Sequence, residues 1–254
     1  MLRSFPSVTS EAAPSSVPSG PRESRLDGRP AVTAANLSVA YGRVPVLREI
    51  DLQVAAGECV ALMGPNGAGK STLLGCLVGV VRPACGEVSL FGKNARNRDA
   101  RRQVGFAGQE PGLYAELSAR ENLIFSGRMY GVQNVNQHVS RLLEESNLTS
   151  AADRPVAQLS QGMRQRVAVL RAMVHQPQLV VLDEPSARLD TAGKQWLASL
   201  LTRCRDHGQT VCFASHDVAQ CRTLADRIVQ LDAGRIVAID PGRVHDGDAW
   251  LRSA

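Results

Sequence analysis

The chain has 254 residues, 44% of them apolar and only 4% aromatic, with a formal net charge of +5. That length holds one large α/β domain or two small ones around an aliphatic core. Arginines are interspersed with acids, so no basic stripe marks a nucleic-acid binder, and no run reaches the roughly 18 apolar residues of a membrane span.

Residues 1–30 hold seven serines and five prolines, a composition that cannot offset its ordering entropy and predicts a disordered tail. The segment lacks the apolar stretch of a secretory signal, and Glu11, Glu23 and Asp27 argue against a transit peptide. Globular composition begins near Thr33. "TAANLSVAYG" and "VLREIDLQVAAGE" alternate as two strands about a turn at 42–45. "ECVALM" is a buried strand, followed by a glycine-rich elbow and a helix from about Lys70 to Val80. "GEVSLFG" and "RQVGFAG" are further short strands. From Ser118 to Arg171 the pattern turns helical, opening on a Ser118/Glu121 capping box. "QHVSRLLEESNL" is a second helix. A third follows "AQLSQG", with Val167, Leu170 and Val174 at helical spacing. "QLVVLDE" is a buried strand. "KQWLASLLTRC" aligns Trp196, Leu197, Leu200, Leu201 and Cys204 on one helix face. "TVCFASHD" is another buried strand, and "RIVQLDAGRIVAID" is a strand pair turning at Ala233–Gly234. Strands alternating with helices predict an α/β fold with a mainly parallel sheet. Cys59, Cys76, Cys85, Cys204, Cys212 and Cys221 show no metal or redox spacing and read as small residues of a protein in a reducing compartment.

Gly64-x-x-x-x-Gly69-Lys70-Ser71 has the spacing of a phosphate-binding P-loop. Gly64, Gly67 and Gly69 let the backbone curl so that amides point inward as an anion nest, and the following helix adds its N-terminal amides. Pro65, Asn66, Ala68 and Thr72 complete the loop. Lys70 reaches the β- and γ-phosphates and the Ser71 hydroxyl ligates Mg²⁺. Arginine greatly outnumbers lysine here, with only Lys70, Lys93 and Lys194 present, which suits a position needing a compact ammonium. "LVVLDEP" puts Asp183 and Glu184 at the end of a buried strand. There Asp183 fits a carboxylate serving Mg²⁺, and Glu184 fits the base that polarises an attacking water. The guanine-binding sequence NKxD is absent.

"QLSQGMRQRVAVLRAM", together with "VGFAGQEPG", "EPSARLD" and "FASHD", resembles the ATP-binding cassette family, the ATPase subunits of ABC transporters, over residues 33–240. The resemblance implies a P-loop NTPase core with an N-terminal antiparallel β subdomain and a helical signature subdomain over about 113–172, the whole occupying 31–242 with a tail at 243–254. It implies that Tyr41 stacks on adenine and that Gln109 touches Mg²⁺ and links the core to the helical subdomain. Ser160 and Gly162 match the signature loop, which contacts the γ-phosphate of ATP held by the other subunit. Asp190 matches the aspartate of the loop crossing the dimer interface, and His216 the switch histidine at the γ-phosphate. Lys70, Glu184 and His216 are the expected catalytic residues. The chain departs from the family at Gln161 and Met163 in the signature, at Arg188 where a small residue is usual, at Thr191 for a common proline, and at Gly108 before Gln109.

The resemblance further implies ATP and Mg²⁺ as cofactors, and a homodimer or cassette heterodimer formed on ATP binding. It also implies an integral membrane partner docking near 109–128, a place on the inner face of the cell membrane, and no nucleic-acid partner. "QEPGLYAELSARENLIFSGRMYGV" and "GMRQRVAVLRAM" look most like single-domain export ATPases, including haem-exporter subunits of cytochrome c maturation. The tail after Asp240 is too short for a regulatory domain. A soluble ABC ATPase of ribosomes or DNA is the alternative. Such chains usually carry two cassettes or a long coiled-coil insertion, and neither is evident.

Overall fold

The computed structural model describes residues 30–242. The expected tails lie outside the described residues, apart from Pro30, which opens the first strand. Two sheets organise the chain. Strands β1 (Pro30–Tyr41), β2 (Val44–Ala55), β4 (Cys85–Leu90) and β5 (Lys93–Asn94) form an antiparallel sheet in the order β2-β1-β4-β5. The larger sheet combines β3 (Cys59–Met63), β6 (Val104–Ala107), β7 (Leu179–Asp183), β8 (Thr210–Ala214), β9 (Arg227–Asp232) and β10 (Arg235–Pro241). Its order is β10-β9-β3-β8-β7-β6, parallel throughout except for the terminal β9–β10 pair.

The helices are α1 (Lys70–Leu77), α2 (Arg98–Arg101), α3 (Ala119–Met129), α4 (Val135–Glu145), α5 (Gln161–Met173), α6 (Thr191–Asp206) and α7 (Val218–Leu224). Every residue of β7 and β8 is buried, as expected of strands covered on both faces. Their side chains alternate between two cores. Leu179, Val181, Cys212 and Ala214 face α1 and the antiparallel sheet. Val180, Leu182, Val211 and Phe213 face α5, α6 and the helices between β6 and β7. The molecule is therefore three layers, with the parallel sheet in the middle and its strand ends free to carry polar groups.

The capping box is present: Ser118 Oγ accepts from the Glu121 amide at 3.2 Å and Glu121 Oε2 accepts from the Ser118 amide at 2.8 Å. Those hydrogen bonds, led by the Ser118 amide, hold the Glu121 carboxyl below the usual range. Helix α1 ends at Leu77 rather than near Val80. Gly79, at φ +70°, closes it, with its amide on Cys76 O and that of Val80 on Gly75 O, each at 2.9 Å. That paired geometry is how a left-handed residue terminates a helix. No helix of the described residues is long and apolar enough to cross a membrane.

Candidate functional site

The elbow between β3 and α1 is closely confined. A Cβ at Gly64 would lie 2.1 Å from Leu231 O, and one at Gly69, where φ is +103°, would lie 2.6 Å from Leu47 Cδ2. Only glycine fits either place. The loop is also tied to itself, with the Ala68 amide donating to Pro65 O at 3.2 Å. Helix α1 starts directly after Gly69 without an acid in its first turn, so its positive end is free to attract an anion. Lys70 is only 7% exposed. Its Nζ donates to Gly64 O at 2.8 Å and Pro65 O at 3.1 Å, which leaves the third of its N–H donors for another acceptor.

Strand β7 carries Asp183 to the same place. Asp183 is 4% exposed and its Oδ1 has no hydrogen-bond partner among the described residues. Burial raises its pKa above the usual carboxylate value, with Glu184 adding to the rise and a hydrogen bond from Ser71 and the charge of Lys70 opposing it. Gln109 Nε2 donates to Ser71 Oγ at 3.3 Å. The Ser71 hydroxyl and the Asp183 carboxylate, which keeps an unused lone pair, thus meet, with the Gln109 amide turned to them through its nitrogen. That is an oxygen-rich donor set suited to a hard divalent ion that keeps part of its water.

Glu184 follows with φ +48° and its amide bonded to Ala214 O at 3.1 Å. This left-handed turn swings the side chain out of the strand line. Glu184 Oε2 meets His216 Nδ1, at the end of the loop after β8, at 2.9 Å. The carboxylate side chain is 14% exposed and the imidazole 69%, so the pair joins the interior to the open cleft.

One cleft of about 950 Å³ receives these groups, lined by Tyr41, residues 64–67 and 69–72, Gln109, Asp183, Glu184 and His216. Its size is that of a small-molecule site. Tyr41 stands at its mouth, 57% exposed. Ala68 turns its methyl into the core instead. Ser160, Gly162 and Asp190 do not line this cleft. Ser160 caps α5, accepting from the Met163 amide at 3.2 Å. Asp190 caps α6, accepting from the Gly193 amide at 2.7 Å and from Arg166 at 3.1 Å. These partners, the Gly193 amide foremost, hold the Asp190 carboxyl below its usual pKa.

Four lining residues were not anticipated as site residues, Val46, Ala187, Gln165 and Arg188. Gln165 is 3% exposed yet reaches the cleft from α5, and Arg188, noted in the sequence only as a departure, lines it from the loop after β7. Gln165 sits one turn beyond Gln161 on a helix whose other inward residues are aliphatic, and that polar break was the only signal available.

Fold and cleft define the chain as an α/β protein of the P-loop nucleotide-binding class. The family model for ABC transporters matches residues 47–187. Curated relatives include a sulfate/thiosulfate import ATP-binding protein of Synechococcus elongatus, 37% identical over 86% of this chain and 65% of its own length. They also include a Nod factor export ATP-binding protein of Rhizobium meliloti, 36% identical over 85% of this chain and 65% of its own length. The chain therefore spans just under two thirds of those relatives. Among solved structures, the ATP-binding cassette MJ0796, a dimer in a post-hydrolysis state bound to ADP and Pi, superposes with a TM-score of 0.79. It is 28% identical and covers 84% of this chain and all of its own. The chain belongs to the ABC transporter family.

Proposed function

We propose that this chain is the ATP-hydrolysing subunit of a transporter whose membrane-spanning part is a separate protein. The observation that carries the reading is the meeting, in one cleft, of the phosphate loop with Lys70, the Ser71–Asp183 pair and the hydrogen-bonded Glu184–His216 pair. Lys70 and the α1 amides bind the β- and γ-phosphates, and Tyr41 supports the adenine. Ser71, Asp183 and Gln109 would hold Mg²⁺. When bound, that ion neutralises phosphate charge that would otherwise repel an incoming water. Glu184 orients that water and accepts its proton. His216 donates Nδ1–H to one carboxylate oxygen, leaving the other for the water, and presents its Nε2 side toward the terminal phosphate.

Ser160, Gly162 and Asp190 lie outside their own chain's cleft, which agrees with their serving the cleft of a second copy. Two copies paired head to tail would then close two nucleotides between phosphate loop and signature, and hydrolysis would release the pair. ATP and the reducing conditions suited to free cysteines put the subunit on the cytoplasmic face of the membrane. Relatives of both directions are known from their names. Export is favoured by the resemblance of the segments beginning at Gln109 and Gly162 to export ATPases, and haem for cytochrome c biogenesis rests on that resemblance alone.

In purified protein, Glu184→Gln keeps ATP binding and lowers turnover by a factor on the order of 10²–10⁴, the worth of general-base assistance. Unchanged phosphate release in that variant defeats the assignment. For transport, a polytopic membrane protein retained from a detergent extract raises the ATPase rate. Retention of ribosomes instead favours the soluble alternative.

A further inference from the structure

The loop after β7 carries Arg188, exposed on the surface and lining the same cleft as Lys70, Asp183, Glu184 and His216. Its guanidinium makes no hydrogen bond or ion pair with any other described residue. Its backbone, by contrast, is fixed. Ala187 N bonds to Glu184 O at 3.2 Å and Leu189 N to Ser186 O at 3.1 Å. A long cation thus springs from a firmly held loop, without a partner among the described residues, into a cleft whose wall already contains two carboxylates.

The charge balance of the cleft explains what it could meet. Asp183 and Glu184 repel a polyanion. Lys70 spends two of its donors on the carbonyls of Gly64 and Pro65, leaving one, and His216 spends Nδ1 on Glu184, leaving only Nε2. A triphosphate adds several more negative charges, more than these few remaining donors balance. A guanidinium is the side chain that grips such oxygens with two parallel hydrogen bonds. An arginine supplied from within the same chain is one recognised way to hold a phosphoryl group during transfer.

We infer that Arg188 is a terminal-phosphate ligand of the nucleotide held in its own chain's cleft. The inference rests on the nucleotide reading of the cleft and adds to it a residue that separates ATP from ADP. Because Arg188 is exposed and has no partner among the described residues, its replacement leaves the fold intact, as a melting curve verifies. The full chain carrying Glu184→Gln, which slows turnover as above, is titrated calorimetrically with Mg-ATP and with Mg-ADP, with and without Arg188→Ala or Arg188→Gln. Protein concentration is kept where sedimentation shows single copies.

Loss of the guanidinium weakens Mg-ATP by about ten-fold or more, the scale of a charge-assisted hydrogen bond, and leaves Mg-ADP unchanged. The inference is overturned by unchanged Mg-ATP affinity, or by equal losses for both nucleotides. It is also overturned by a loss seen only where copies pair, which would make Arg188 an interface group acting on the other cleft. Failure of the Glu184→Gln protein itself to bind either nucleotide would sink the reading of the cleft, and this inference with it.

Discussion

Lys70 shows how one residue joins fold and binding. An ammonium buried at 7% exposure is costly unless its donors are satisfied. The carbonyls of Gly64 and Pro65 satisfy two of them. They can do so only because the loop turns back over the start of α1, a path open to glycine alone at Gly64. The same contacts aim the remaining donor at the cleft. Lys70→Ala therefore removes charge-assisted hydrogen bonds worth about 1.5–3 kcal/mol each, weakening Mg-ATP by a factor on the order of a hundred or more. Calorimetry giving wild-type affinity for the folded variant refutes the role. The P-loop was legible because its physics is local: glycine spacing, a strand before and a helix after. Gln165 and the reach of Arg188 were not, since they depend on α5 and the loop after β7 converging on an elbow about a hundred residues earlier.

At the scale of elements, buried strands were the easiest to read, because a five-residue aliphatic run such as β7 has no other stable place than a covered sheet. The end of α1 was harder. "LLGCLVGV" offers two glycines, and only tertiary surroundings separate Gly75, inside the helix against Val81, from Gly79, which closes it against Ala95 O. The short helices α2 and α7 were missed because a turn or two gives no periodicity, although Asn97 and Asp217 cap them with their side chains.

The seam between the helices and the core carries a pH signature. His175, just past the end of α5, stacks on Tyr130 at 3.8 Å and contacts Val104 O through Nε2 at 3.2 Å, while its Nδ1 lacks a partner among the described residues. Burial pushes its pKa below 6.5, only partly opposed by the Val104 carbonyl. The fold therefore binds this proton less well than the unfolded chain does. Stability is full above about pH 6.5 and falls as acidification protonates the unfolded state. The denaturation midpoint of the wild type should drop more between pH 7.5 and 5.5 than that of His175→Gln. Parallel drops remove His175 as the cause.

At the scale of the whole molecule, Ser160 and Gly162, proposed above to meet a nucleotide phosphate, do not line the cleft of their own chain. That separation arises because α5 runs from the signature back toward β6 and turns its Ser160 end to the surface. If the signature completes the cleft of a second copy, defects in the two halves must complement. Lys70→Ala spoils the phosphate loop and spares the signature. Ser160→Arg does the reverse, placing bulk and charge at an exposed cap. Each variant alone has no whole site in its dimer. In a mixed pair, one site combines both defects and the other combines the intact loop with the intact signature. Random pairing makes half the dimers mixed, each with one whole site, so an equal mixture should recover about a quarter of wild-type turnover. A signature acting within its own chain gives no recovery at any mixing ratio, since every cleft then keeps the defect of its own chain.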